Sequence, residues 1–258
     1  MEAILSKYFD INDGGFSIRC KLYHKDKDLT GIRRVVIFGH GLGGHRDNKA
    51  AEKFAARVIT KYKGIGVVTF DWPCHGSDAR NKLMLSDCNA YLSLVIAYVR
   101  KRFDTDELYA YATSFGGYLT LKYIHENGNP FRRIALRCPA VNMYESMLNR
   151  VVKSDELDKL NKGKDVLVGF DRKVKINKEF LDSLKANDIR ELDFMDHADD
   201  IFIIHGTKDE IIPIAEVARF ADNNVIEFKA VENADHRFTD PKLMDEAILH
   251  ITQFFDFR

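Results

Sequence analysis

The stretch Ala112-Thr113-Ser114-Phe115-Gly116-Gly117, "ATSFGG", decides how the rest of the chain is read. It follows the apolar run "ELYAY" and precedes "YLTLKYIHENG", so one serine stands where a strand gives way to a helix. A backbone turning that sharply needs small neighbours, and the helix it opens supplies unpaired N–H groups and the positive end of a dipole. That is the physical content of the nucleophile elbow, written G-x-S-x-G, with Ala112 in place of the first glycine. Ser-x-Gly is a common pattern, and Ser114 could equally do no more than cap the helix. Whatever activates the serine must lie elsewhere in the chain.

A hydroxyl is a poor nucleophile at neutral pH and needs a base, which in turn needs an orienting acid. "IFIIHGTKDEIIP" places Asp209 in the loop after an apolar strand, and "VIEFKAVENADHRF" places His236 in the loop after the next. In a parallel sheet these loops share the C-terminal edge with Ser114, so three distant positions can converge. Taken singly, a His or Asp is more often structural or solvated. In the order Ser, Asp, His, each on such a loop, the three form a candidate triad.

Acyl transfer also builds negative charge on a carbonyl oxygen, which two backbone N–H groups can hold. "VVIFGHGLGGH" puts His40-Gly41-Leu42-Gly43-Gly44 directly after a buried strand, so the N–H of Leu42 can pair with that of Phe115 as an oxyanion hole. A phosphate cradle is the rival, but the chain has neither G-x-x-x-x-G-K-S/T nor G-x-G-x-x-G. His40 could be mistaken for the base; a His there more often braces the loop.

Around these motifs the chain reads as one α/β domain. A hairpin opens it, "KYFDI" and "FSIRCKLYH" joined by "NDGG", and near-continuous apolar strands then alternate with helical segments, the pattern of a mostly parallel sheet of eight strands with helices on both faces. Ser86 is the expected N-cap of the helix "SDCNAYLSLVIAYVRKRF". From 140 to 198 the rhythm breaks into a charged stretch, a small hairpin at "VLVGFDRKVKI" and a helix. The expected organisation is a core of residues 1–139 and 199–258 with an inserted lid at 140–198 that puts Met147, Val166, Val168 and Phe170 inward and its lysines in water. An oligomerisation arm, giving a homodimer, is the alternative for that segment.

With 39 basic and 39 acidic residues there is no global field to attract nucleic acid. No apolar run reaches the roughly 18 residues that a membrane span needs. The N-terminus does not read as a signal peptide, and four scattered cysteines suit neither a zinc site nor a disulfide framework. The expectation is a cytoplasmic protein acting on a small molecule, without insertion into a membrane.

The set "GHGLGG", "FDWPCHGSD", "ATSFGG", "HGTKDEIIP" and "ADHRF" resembles the α/β-hydrolase superfamily over nearly the whole chain. In particular it is similar to the compact bacterial serine esterases that include feruloyl (cinnamoyl) esterases and monoacylglycerol-lipase-like enzymes. The resemblance implies Ser114 as nucleophile, Asp209 as acid and His236 as base. It implies the N–H groups of Leu42 and Phe115 as oxyanion donors, and His75 and Gly76 as structural. It implies a carboxylic ester hydrolase that works through an acyl-enzyme, with no metal or organic cofactor, on hydroxycinnamoyl-type or other small acyl esters. Relatives of the feruloyl type tend to carry a tyrosine in the lid hairpin. Here that stretch offers Asp171 and Arg172, and Tyr144, at the start of the insertion, is the candidate substitute, with Met147 and Phe170 as further pocket residues. A monoacylglycerol lipase or thioesterase would use the same machinery, although "KSDELDKLNKGKD" is too polar for a lipase lid. A hydrolase-fold protein that only binds ligand is the reading from another class.

Overall fold

A computed structural model describes residues 4–25, 28–78, 80–170 and 172–257; Asp171 of the expected hairpin lies outside them. The opening hairpin pairs β1 (Leu5–Asp13) with β2 (Phe16–His24), from Leu5 opposite His24 to Asp13 opposite Phe16. Gly14 and Gly15 connect them, both at positive φ, as a two-residue turn matching the strand twist requires.

Five more buried strands follow in the central sheet: β3 (Arg34–Gly39), β4 (Ile65–Phe70), β5 (Leu108–Thr113), β6 (Arg133–Arg137) and, after the inserted segment, β9 (Ile201–Gly206). β10 (Glu227–Val231) closes the far edge. The order is β1-β2-β4-β3-β5-β6-β9-β10, antiparallel at β1–β2–β4 and parallel from there on. β4, β5 and β9 are buried at every position, which is why they read as unbroken apolar runs: both faces are covered.

One face carries α1 (Lys49–Lys61), capped by Asn48 through Ala50 N–H and Ala51 N–H, and α8 (Pro241–Phe255), capped by Asp240 with proline at its first position. The other face carries α2 (Leu85–Phe103), α3 (Phe115–Asn127) and α7 (Ile214–Asn223). Ser86 is not the cap of α2. The helix starts a residue earlier, at Leu85, with Met84 at the N-cap and no side-chain cap bond, so Ser86 already lies within the first turn, next to Asp87.

Residues 140–198 hold α4 (Met143–Ser146) running into a wide turn at Met147–Val151, α5 (Ser154–Asn161), the hairpin β7 (Val166–Val168) and β8 (Val174–Ile176), and α6 (Lys178–Ala186). The expected hairpin and final helix are there. Helix α5 was hidden by its charge; Glu156 accepts from Lys153 N–H at its start, and Leu160 alone is buried. Leu160, Val166, Val168, Val174, Ile176, Phe180, Leu181 and Leu184 join the same core cluster as α2 and α3. Met147, Val166 and Val168 face inward as expected, at 0%, 6% and 1% exposure. Phe170 does not: it is 43% exposed. The strand alternation that turns Val168 inward ends at Gly169, whose φ of +115° swings the tip outward.

Candidate active site

The chain reverses its direction of travel across the sheet at β3, going to β4 on one side and then to β5 and beyond on the other. In open α/β sheets the crevice at such a switch point collects ligands. Ser114 leaves β5 there, with φ 52° and ψ −119°, a strained backbone for a non-glycine residue. Three neighbours hold it in place: its N–H donates to the Arg137 carbonyl (3.1 Å), and its carbonyl accepts from Ala140 N–H (3.1 Å) and from Tyr118 N–H (3.1 Å). The side chain is thereby presented beyond the sheet, at the start of α3.

His236 and Asp209 arrive from the loops after β10 and β9. His236 Nε2 lies 3.0 Å from Ser114 Oγ, and His236 Nδ1 lies 2.7 Å from Asp209 Oδ2. The carboxylate can only accept, so Nδ1 carries a proton and Nε2 is left to accept from the serine. Asp209 Oδ1 meanwhile accepts from the N–H groups of Ile211 (2.9 Å) and Ile212 (2.8 Å). Burial pushes the Asp209 carboxyl up, but hydrogen bonds from His205 and His236 outweigh it and hold it far below the ordinary carboxylate range. The structure therefore brings all three candidate triad residues together.

The loop after β3 passes very close to Ser114: a Cβ on Gly41 would sit 3.1 Å from Ser114 Cβ. That places Leu42 beside the turn, while Phe115 is the first residue of α3, where helical N–H groups lack intrahelical acceptors. His40 braces the loop. Its Nδ1–H donates to the Gly41 carbonyl (2.8 Å), and its Nε2 accepts from Trp72 N–H (3.3 Å), which uses both ring nitrogens and leaves none for proton transfer. The segment 140–198 meets this loop and the elbow: a Cβ on Gly43 would lie 2.9 Å from the Arg172 carbonyl, and the Phe180 ring packs edge-on against Phe115 at 6.3 Å. Phe170 lies near the loop that carries His236, with the Arg237 guanidinium 5.8 Å from its ring centre. Tyr144 is half-buried, with Lys185 Nζ 5.9 Å from its ring, and Met147 is in the core.

His40 and His75 lie 5.2 Å apart, both fully buried. Burial, and for His40 the neighbouring His75 as well, depresses both imidazoles: His40 well below the ordinary value and His75 to about 4. The unfolded chain binds protons on both near pH 6.5, while the native one does not, so stability falls as pH drops from there towards 4. From His75 alone the loss between about pH 7 and about pH 5 is on the order of 2 kcal/mol. Urea unfolding at the two pH values is expected to show that loss as a lower midpoint at unchanged slope, and His75→Leu to reduce it. A wild-type midpoint unchanged over this window would contradict the buried, neutral pair.

Cys138, Asp209 and His236 offer three ligand-type atoms within 4.8 Å of one another. The donor set suits hydrogen bonding better than a cation: the carboxylate is already saturated, and burial, then the Asp209 charge, keeps the Cys138 thiol protonated. Neither Cys138 nor His205 stood out in sequence, although His205 precedes Asp209 by four residues in "HGTKD". A polar cleft of about 670 Å³ lined by Arg133, Asp199, Asp222 and Phe254 opens at the opposite, N-terminal ends of the strands, away from Ser114. Among the described residues no helix is long and apolar enough to cross a membrane.

The architecture is that of an α/β-hydrolase, as the motifs led us to expect, and the class is hydrolytic. The chain belongs to the prolyl oligopeptidase family, whose model matches residues 57–257. Est1E from Butyrivibrio proteoclasticus with ferulic acid bound has a similar structure, at a TM-score of 0.74 and 15% identity over 95% of this chain and 98% of that one. A putative hydrolase from Agrobacterium vitis gives 0.72 at 17% identity, covering 98% and 100%. The esterase domain of a Rhodothermus marinus protein gives 0.68 at 17%, covering 98% and 97%. At such identities the likeness establishes the fold. No curated protein matches this sequence.

Proposed function

We propose that the protein is a serine carboxylic ester hydrolase. The observation that carries this reading is the run Ser114 Oγ to His236 Nε2 at 3.0 Å and His236 Nδ1 to Asp209 Oδ2 at 2.7 Å. His236 takes the Ser114 proton as Oγ attacks the ester carbonyl. The Leu42 and Phe115 N–H groups receive the oxyanion, aided by the α3 dipole. His236 then returns the proton to the departing alkoxide, leaving an acyl-serine that water cleaves by the same steps in reverse. Every step is a proton transfer or an addition these groups supply themselves, so the proposal invokes no cofactor. The free cysteines Cys20, Cys74, Cys88 and Cys138 suit a reducing, cytoplasmic setting.

For the acyl group we favour a small, hydroxycinnamoyl-type acid, in keeping with the ferulic acid bound to Est1E. Monoacylglycerols and thioesters are the alternative. Family membership adds a second reading, peptide-bond hydrolysis, which the same triad can perform. A panel of short and long aryl esters, methyl hydroxycinnamates, monoacylglycerols, thioesters and a blocked dipeptide anilide separates these. A fluorophosphonate that fails to label Ser114, with no turnover on the panel, would reduce the chain to a ligand-binding relative.

We further propose that 140–198 is a lid and pocket wall, with Phe170 and Tyr144 meeting the substrate and Met147 backing them. Its contacts with Gly43 and Phe115 support that reading over an oligomerisation arm. Exchanging the exposed tip, Phe170→Ala, is expected to change KM and acyl preference several-fold while leaving kcat for a small acetate ester nearly constant. An unchanged preference profile would remove Phe170 from the pocket.

A further inference from the structure

Asp209 is gripped by more than the base it serves. His205, the fifth residue of β9, is wholly buried, as is the Asp209 side chain; its Nε2 lies 3.1 Å from Asp209 Oδ2 and 3.0 Å from the Ile212 carbonyl oxygen. Both neighbours can only accept, so Nε2 carries the proton and donates to both, which fixes the tautomer. The other nitrogen, Nδ1, is buried with no partner among the described residues. An imidazole that leaves one buried nitrogen without a partner is a costly way to fill a core site, so packing alone does not explain it here.

We infer that His205 is a positioning residue for the triad: its Nε2–H shares Asp209 Oδ2 with His236 Nδ1–H, fixing the carboxylate and dividing its charge between two imidazoles. The inference rests on the triad reading above. The four donors are complementary: Ile211 and Ile212 N–H hold Oδ1, and the two histidines hold Oδ2. The other polar groups packed around them are few. Glu210 Oε2 accepts from His236 N–H at 3.4 Å, and the Cys138 thiol faces Asp209. Arg137 Nη1 donates to the Arg237 carbonyl, and Arg237 itself lies over Phe170. On the neighbouring strand β10, the residue paired with His205 is Ala230.

Two effects follow from losing that donor. The carboxylate gains freedom to swing, which misaligns His236 against Ser114. The full charge of Oδ2 then falls on His236 alone, which favours the protonated ring, so a higher pH is needed to free the base. The acid limb of kcat/KM therefore moves to higher pH, not lower.

The test compares wild type, His205→Phe and His205→Gln on p-nitrophenyl acetate across the acid limb. His205→Phe is expected to lower kcat by about 10- to 100-fold with KM changed less than about two-fold, and to move the acid limb to higher pH. His205→Gln, whose amide N–H can reach the same acceptors, should recover most of the loss and restore the limb. A folded His205→Phe protein with an unmoved limb, or a Gln variant as impaired as Phe, would overturn the inference. Because His205→Phe could fail to fold, ¹⁵N-histidine NMR of the unsubstituted protein provides a second measurement. The neutral His205 ring should be the Nε2–H tautomer, and an Nδ1–H tautomer overturns the inference whatever the activity. A wild-type protein with no turnover and no fluorophosphonate label would instead sink the triad reading, so the two failures are distinguishable.

Discussion

Replacing Ser114 by alanine is expected to lower kcat/KM for an aryl ester by about 10⁴-fold or more, with the thermal transition nearly unchanged. The chemistry leaves no substitute nucleophile in the elbow, because the thiol nearest the triad, Cys138, is buried and kept protonated. The fold should tolerate the change. The hydroxyl is bonded only to His236 among the described residues, and what holds the turn is the Ser114 backbone. His236→Ala should cost about as much, since nucleophile and base act as a unit and removing either disables both. Steady-state rates together with circular dichroism check the pair. A Ser114→Ala protein that keeps most of its rate would remove this serine from the mechanism.

The second large effect comes from a group that takes no part in the chemistry. A Cβ on Gly116 would lie 2.4 Å from the Gly39 carbonyl oxygen, 2.7 Å from the Gly39 carbonyl carbon and 2.7 Å from the His40 carbonyl oxygen. All three obstacles are backbone, so Gly116→Ala forces the start of α3 away from the end of β3. Overpacking against backbone costs on the order of 3 kcal/mol or more, which for a domain of this size lowers Tm by about 10 °C. It also separates Phe115 from Leu42, so residual activity should fall even at temperatures where the protein is folded. Gly31→Ala, whose added methyl meets nothing within 4 Å, is the matching control and should be nearly neutral. Calorimetry of the two variants decides the point; equal Tm values would show that β3 and α3 can part at little cost.

The strand–helix rhythm was legible because the buried strands are apolar at every position and their helices carry periodic apolar faces. The candidate site was legible for a related reason: loops leaving one edge of a parallel sheet must meet, so Ser114, Asp209 and His236 could be joined before any distance was known. What lay beyond reach depended on side-chain direction. Phe170 reads as a core residue in sequence, yet Gly169 turns it outward. Helix α5 has one buried residue and so gave almost no periodic signal. His205 sits within an apolar strand, and only the position of the Ile212 carbonyl and of Asp209 Oδ2 reveals which of its nitrogens is engaged.

His236, the proposed base, hangs from the loop after β10, and β10 is one of the two edge strands of the sheet, with a largely exposed face. Edge elements of this kind open at a lower free energy than the centre, so they are the first to breathe. The lone tryptophan, Trp72, is fully buried just after β4, across the central strands from β10. In the proposed mechanism the molecule thus holds two internal clocks: turnover is expected to follow the fraying margin, and intrinsic fluorescence the heart of the sheet. Heat is expected to silence the first while the second still reports a folded protein, which would separate working temperature from melting temperature.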